Sequence, residues 1–221
     1  MKNVVVALLV LGIGTIGVSG YQHLSVNHIQ NDSLDKAKEI TISDPDITLS
    51  DASNVAPSRA NTDGIEKNDN KKEVESIEFH PEIGEVIGVL KIPKLEAELP
   101  IIEGVGADEL DKGVGHHDKT AFPGQPSQIV LSGHRDTVFR GMDEIEIGDE
   151  FIVEMPYGTV TYVMESYKIV DKDDLTIIRP HDYDEEILTI TTCYPFNFIG
   201  PAPERYIIFA NPVKKEIKNT V

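Results

Sequence analysis

Apolar and polar positions divide the chain into three stretches. An uncharged apolar run extends from Val4 to Val18, behind Met1-Lys2-Asn3 and ahead of Ser19-Gly20-Tyr21. From Gln22 to about Ile77, Asn, Asp, Ser, Lys and Glu dominate, and the apolar residues have no sustained period. From about Phe79 to Pro212, short apolar or alternating runs return, punctuated by Gly, Pro and Asp.

This third stretch predicts a series of strands. They run over Val86 to Ile92, Glu98 to Ile102, Gln128 to Ser132, Glu150 to Met155, Thr159 to Val170, Ile187 to Thr192 and Tyr206 to Ala210. Within the fifth, Val160, Tyr162 and Met164 fall on one face, as the two-residue period of a strand requires. Gly148-Asp149 and Pro156-Tyr157-Gly158 mark turns. Helical signal is confined to short turns near Asp108 to Leu110 and Met142 to Ile145. So many strands in a small domain predict a mainly β fold closed into a barrel, because closure removes exposed edges.

The first two stretches read differently. A helix over about 17 residues rises roughly 25 Å, near the short limit for crossing a hydrocarbon core. Lys2 precedes the run and no basic cluster follows it closely, which places the N-terminus in the cytoplasm and the rest outside, with Tyr21 at the outer interface. A cleaved signal peptide is the rival, since Val18-Ser19-Gly20 offers small residues near a cleavage position. The run stands at the upper limit of a signal-peptide core, which favours an uncleaved anchor; either reading exports the remainder. In the polar stretch, Asp44-Pro45-Asp46 and Thr62-Asp63-Gly64 are turn signals and Asn68 to Lys72 is a solvated run. Leu34 to Ile42 carries a weak helical signal, but the stretch as a whole buries too little to offset its conformational entropy and reads as a spacer. The expected organisation is therefore an anchor at 1–21, a polar flexible spacer at 22–78 and a folded domain at 79–221.

A net charge of −18 disfavours an electrostatic nucleic-acid binder. The lone cysteine, Cys193, allows no intramolecular disulfide. A lone Cys is ordinarily a small buried hydrophobe, but an unpaired thiol in an exported protein is exposed to oxidation, which makes a structural role less ordinary there. Cys193 ends a predicted strand, with Pro195 two residues on, so its thiol is expected at the rim of the sheet. His134 likewise follows a strand, and Arg205 opens the last one. Three strands would then deliver a thiol, an imidazole and a guanidinium to one barrel end. In acyl transfer these would attack a carbonyl, move protons and bind the developing oxyanion. Plainer roles remain open: His134 bonded to backbone, Arg205 paired with Glu204 or Asp182. His116-His117 suggests metal ligation, but no second Cys and no HExxH spacing supports it, so neither a metal nor another cofactor is expected.

The block Thr189-Ile190-Thr191-Thr192-Cys193 resembles the sortase signature Thr-Leu-x-Thr-Cys, with Ile190 in place of Leu. Arg205 follows twelve residues later, and Gly133-His134 stands where the family has its histidine. Gly113-Val114-Gly115-His116 and Ala121-Phe122-Pro123-Gly124 look like its upstream landmarks. The phrases at 131–140 and 191–196 are most similar to class D sortases of Gram-positive bacteria. The resemblance implies a sortase β-barrel of about eight strands, with 79–221 as the catalytic domain. It implies His134, Cys193 and Arg205 as catalytic residues and His116 as a substrate contact. For Thr192 it implies a part in the oxyanion hole or in orienting substrate, with ordinary strand packing equally open, and the segment from Asp171 to Glu186 would flank the peptide groove. It implies a surface-protein substrate with an LPxTG-like C-terminal sorting signal, a Cys thioester, and transfer to an amine of a peptidoglycan precursor. The enzyme would be a single-pass membrane protein with its catalytic domain outside the cell. An L,D-transpeptidase is the nearest rival, but its Cys usually sits in a Ser-x-Gly-Cys-x-Arg-like setting. Papain-like proteases place Cys before His, the reverse of the order here. The rival without catalysis is an anchored extracellular binding module.

Overall fold

The alternating runs of the third stretch close on themselves in the computed structural model, which describes residues 25–41 and 79–217. Eight strands form the barrel: β1 (Val86–Ile92), β2 (Ala97–Glu103), β3 (Val114–His116), β4 (Gln128–Ser132), β5 (Glu150–Met155), β6 (Gly158–Asp171), β7 (Ile187–Tyr194) and β8 (Glu204–Ile217). Their order around the barrel is β1-β2-β3-β4-β7-β8-β6-β5, with β5 pairing back to β1. The β2–β3 and β4–β7 pairs are parallel and the others antiparallel. Helix α1 covers residues 25–41 and α2 is Ala107–Lys112. Short 3-10 turns occupy Pro93–Leu95, Met142–Glu144, Leu175–Ile177 and Pro180–Asp182.

One face of each strand fills the barrel. Val160, Tyr162 and Met164 of β6 meet Leu131, Ile190 and Ile208 in a continuous core. Burying a large apolar side chain of this kind contributes about 1.5–3 kcal/mol, so the inward rows of the strands hold the barrel shut without any disulfide.

Three features depart from the sequence expectation. β3 was not predicted, because three residues with a central glycine carry no strand period; a Cβ at Gly115 would sit 2.5 Å from the Gly104 carbonyl oxygen. β8 runs well past Ala210, to Ile217, through a proline and a charged run. Pro212 is tolerated beside a register shift in the β6–β8 ladder, where prolines are admitted. Helix α1 lies inside the segment read as a spacer. It includes most of the weak helical signal at Leu34 to Ile42 but begins well before it, and it meets the barrel with small side chains one turn apart, Ser33 and Ala37, both buried, a faint stripe for a helix face. Lys38 pairs with Glu98 of β2, and Gln30 Nε2 donates to the Asp111 carbonyl of α2 at 3.3 Å. The apolar run from Val4 to Val18 and the rest of the polar stretch lie outside the described residues. Among the described residues no helix is long and apolar enough to cross a membrane.

Candidate active site

The parallel β4–β7 pair sets Ser132 beside Thr191, and Gly133 N donates to the Thr191 carbonyl at 3.2 Å. His134 leaves β4 at this level. Cys193 is the penultimate residue of β7, and its cross-strand partner on β8 is Arg205. Partners across an antiparallel pair share a face, so thiol and guanidinium stand on the same side of the sheet. That side is the outer one, since the alternate residues Ile190 and Ile208 point into the core. Cys193, Arg205 and His134 together line a cavity of about 350 Å³. Its floor includes Val130, Thr189 and Ile207; Leu110 of α2 stands in one wall. The segment between β6 and β7 supplies Lys172, Asp174, Leu175, Ile177 and Ile178. The groove thus mixes apolar side chains with polar ones, which include His117, Lys172 and Asp174 as well as the groups around Cys193.

Local packing explains the residues around the three. A Cβ at Gly133 would lie 2.6 Å from the Phe139 ring, so only glycine lets this turn fold down ahead of His134. Thr192 is buried, and its hydroxyl donates to the Gly133 carbonyl at 2.8 Å, tying the His134 turn to β7. Cys193 is partly exposed and reachable. The His134 imidazole is exposed, with Nε2 3.9 Å from Asp111 Oδ1, an ion-pair separation beyond hydrogen-bond length. Arg205 Nη1 donates to the carbonyls of Glu204 at 2.9 Å and Ala202 at 3.3 Å. Among the described residues no carboxylate pairs with it, and Asp182 is engaged by Arg179 instead.

The neighbouring histidines part company. His116, expected from the resemblance to contact substrate, is not brought to the cavity: it is 1% exposed and faces the core side. Its Nδ1 is 2.8 Å from Glu103 Oε2 and its Nε2 donates to the Ala121 carbonyl at 3.0 Å, while the ring stacks on Phe122 at 4.6 Å. The landmarks around His116 and Ala121 to Gly124 therefore pack against one another beneath the site. The reason is register: His116 pairs with inward-facing Leu131, so it must point inward too. His117, one residue on, lines the cavity, and burial pushes its pKa below the ordinary imidazole value.

Arg135 was not singled out from the sequence. It is buried, and donates through Nη1 to the Pro195 carbonyl at 2.5 Å and through Nη2 to the Phe198 carbonyl at 2.9 Å. Both acceptors lie in the loop between Cys193 and Arg205. Nothing in the sequence separates this arginine from a surface one, because its partners are carbonyls about sixty residues away. Among the described residues no group of three His, Cys, Asp or Glu side chains is placed to hold a metal ion.

An eight-stranded barrel with a reachable lone thiol at a strand end suits acyl transfer, and comparison with known proteins gives the class. The sortase-domain family model matches residues 90–213, and the chain belongs to the sortase family of cysteine transpeptidases. It is 39% identical to Sortase D of Bacillus subtilis (strain 168) over 214 residues, covering 96% of this chain and 100% of that one. Its fold is similar to that of a Clostridium perfringens Sortase D5 transpeptidase, with a TM-score of 0.61 at 23% identity, over 85% of this chain and 99% of that one. It is also similar to Clostridium perfringens sortase C solved with the C-terminal cell wall sorting motif, with a TM-score of 0.55 at 28% identity, over 60% of this chain and 73% of that one.

Proposed function

We propose that this protein is an anchored extracellular sortase of the class D kind, which cuts an LPxTG-like sorting signal and transfers the product to the cell wall. The observation that carries this reading is the meeting of Cys193, His134 and Arg205 around one open groove. The thiolate of Cys193 attacks the carbonyl at the scissile bond. Arg205 donates to the oxyanion that forms, with its Nη1 already braced by two carbonyls. His134 protonates the departing amine, which leaves a thioester on Cys193. An amine of a peptidoglycan precursor then attacks the thioester, gives its proton to His134 and releases the thiolate. Thr192 holds the His134 turn in place. Residues 1–21 anchor the chain in the membrane and 22–78 join anchor to barrel, with α1 seated on the barrel within that span.

The family relative solved with the cell wall sorting motif supports the substrate class. The test is incubation of the full chain with a small library of sorting-signal peptides and an amine nucleophile, read by mass spectrometry. Cleavage of an LPxTG-like peptide with amine capture and a thioester-linked intermediate is the expected result. Failure to cleave any such peptide would overturn the reading.

A further inference from the structure

We propose that His117 is a further substrate-binding residue, whose imidazole hydrogen-bonds the backbone of the bound peptide about four residues from the scissile bond. This rests on the sorting-signal reading above and adds to it a contact remote from the chemistry.

His117 stands on the groove side of the sheet. Its backbone N–H donates to the Val130 carbonyl at 3.0 Å, which fixes its level beside β4. Val130 pairs with Thr189, four residues before Cys193 on β7. At a rise of roughly 3.3 Å per residue, that is about 13 Å along the strand from the thiol. An extended peptide lying along the groove with its reacting carbonyl at Cys193 passes His117 some four residues away.

The ring is equipped for such a contact. Among the described residues neither ring nitrogen of His117 has a hydrogen-bond partner, whereas both nitrogens of adjacent His116 are engaged. The side chain is half-buried and lines the same cavity as Cys193. Burial holds its pKa down, so at neutral pH it carries one N–H donor and one lone-pair acceptor. Val105, Leu110 and Val130, which line the cavity with it, offer apolar side chains that cannot satisfy it. An extended peptide presents N–H and C=O groups in alternation, which matches both nitrogens.

The contact lies far from the bond that breaks, so it acts on binding rather than on chemistry. In the full chain, H117F fills the volume but cannot hydrogen-bond. It is expected to raise KM for the best-cleaved peptide about tenfold, the usual size for one lost hydrogen bond, with kcat altered less than KM. H117Q, which keeps a donor and an acceptor, is expected to recover most of that loss. Peptides in which single amides four residues to either side of the scissile bond are replaced by esters provide a second measure. One of them should bind wild type more weakly, and H117F should no longer discriminate against it. An unchanged KM in H117F, or equal discrimination by both enzymes, overturns the proposal. So does a fall in kcat and melting temperature together that H117Q fails to rescue, which is the signature of a merely structural side chain. Wild-type enzyme that cleaves no peptide overturns the proposed function and this inference with it. Wild-type cleavage with unaltered H117F kinetics overturns this inference alone.

Discussion

Cys193 on β7 and Arg205 on β8 face each other directly across one antiparallel pair. Side chains so placed have Cβ atoms about 4.5–5.5 Å apart, and the pair closes one side of the groove that His134 borders. The spacing of twelve residues between them is therefore the length of a hairpin: the strand end, the loop through Pro195 to Pro203, and the first turn back into β8.

Arg205→Lys tests whether the guanidinium has a catalytic or a structural job. Its Nη1 is held by the Glu204 and Ala202 carbonyls, so the remaining N–H groups are aimed by a planar fork that an ammonium cannot reproduce. Loss of one oxyanion donor costs about 10²–10³ in turnover in acyl-transfer enzymes, and a loss of that order is expected for the lysine variant. Near-wild-type turnover in the same peptide assay would reduce Arg205 to a structural brace.

Cys193→Ala and His134→Ala are each expected to abolish transpeptidation while leaving the barrel folded. Neither side chain is part of the core, so thermal midpoints within a few degrees of wild type are expected alongside the lost activity. Retention of thioester formation by Cys193→Ala, scored by mass spectrometry of the intact protein, would remove the thiol from the mechanism.

What was legible in the sequence followed from periodicity and from strand ends. Val160, Tyr162 and Met164 announced their face because one side of β6 is buried and the other is not. His134, Cys193 and Arg205 were legible because each sits at the end of a strand that reads clearly, within phrases similar to a known signature. The rest depended on three-dimensional partners. His116 and His117 are adjacent, and only the register of three-residue β3 decides which points inward; the Glu103 that holds His116 lies thirteen residues away. Helix α1 leaves only the weak helical signal over Leu34 to Ile42 in the sequence, because the side chains it buries, Ser33 and Ala37, are small.

Tyr162 and Tyr157 predict how stability changes in alkali. Buried Glu186 accepts from the Tyr162 hydroxyl at 2.6 Å and from Gly124 N at 2.8 Å, and is paired with Lys215. Burial first, and then the negative charge of Glu186, push both phenols above their ordinary value of 10. The fold therefore keeps these protons while the unfolded chain releases them. Their contribution is complete below about pH 10 and lost above it, each tyrosine adding a slope of up to about 1.4 kcal/mol per pH unit. Chemical denaturation from about pH 8 to about pH 11 is expected to show Tyr162→Phe with a shallower alkaline decline than wild type. Identical slopes would mean that Tyr162 ionises as readily in the fold as outside it.

Arg135 is the residue through which the His134 turn grips the loop that separates Cys193 from Arg205. Its fork spans the Pro195 and Phe198 carbonyls, a geometry that one guanidinium satisfies and one ammonium does not. Arg135→Lys is expected to free the loop at Phe198, and Arg135→Ala to free both points. Hydrogen bonds to charged groups contribute about 1.5–3 kcal/mol each. Phe198 is exposed and Pro195 partly so, hence water can replace part of the loss and the lower end is expected for the two together. Hydrogen exchange should rise in residues 196–202 in both variants and remain slow in β4 and β7, with turnover falling because Arg205 stands at the far end of the freed loop. The order should be wild type, Lys, then Ala for loop protection and for turnover alike. Unaltered exchange in Arg135→Ala would show that the loop holds itself, and that the two carbonyl bonds follow its conformation rather than fix it.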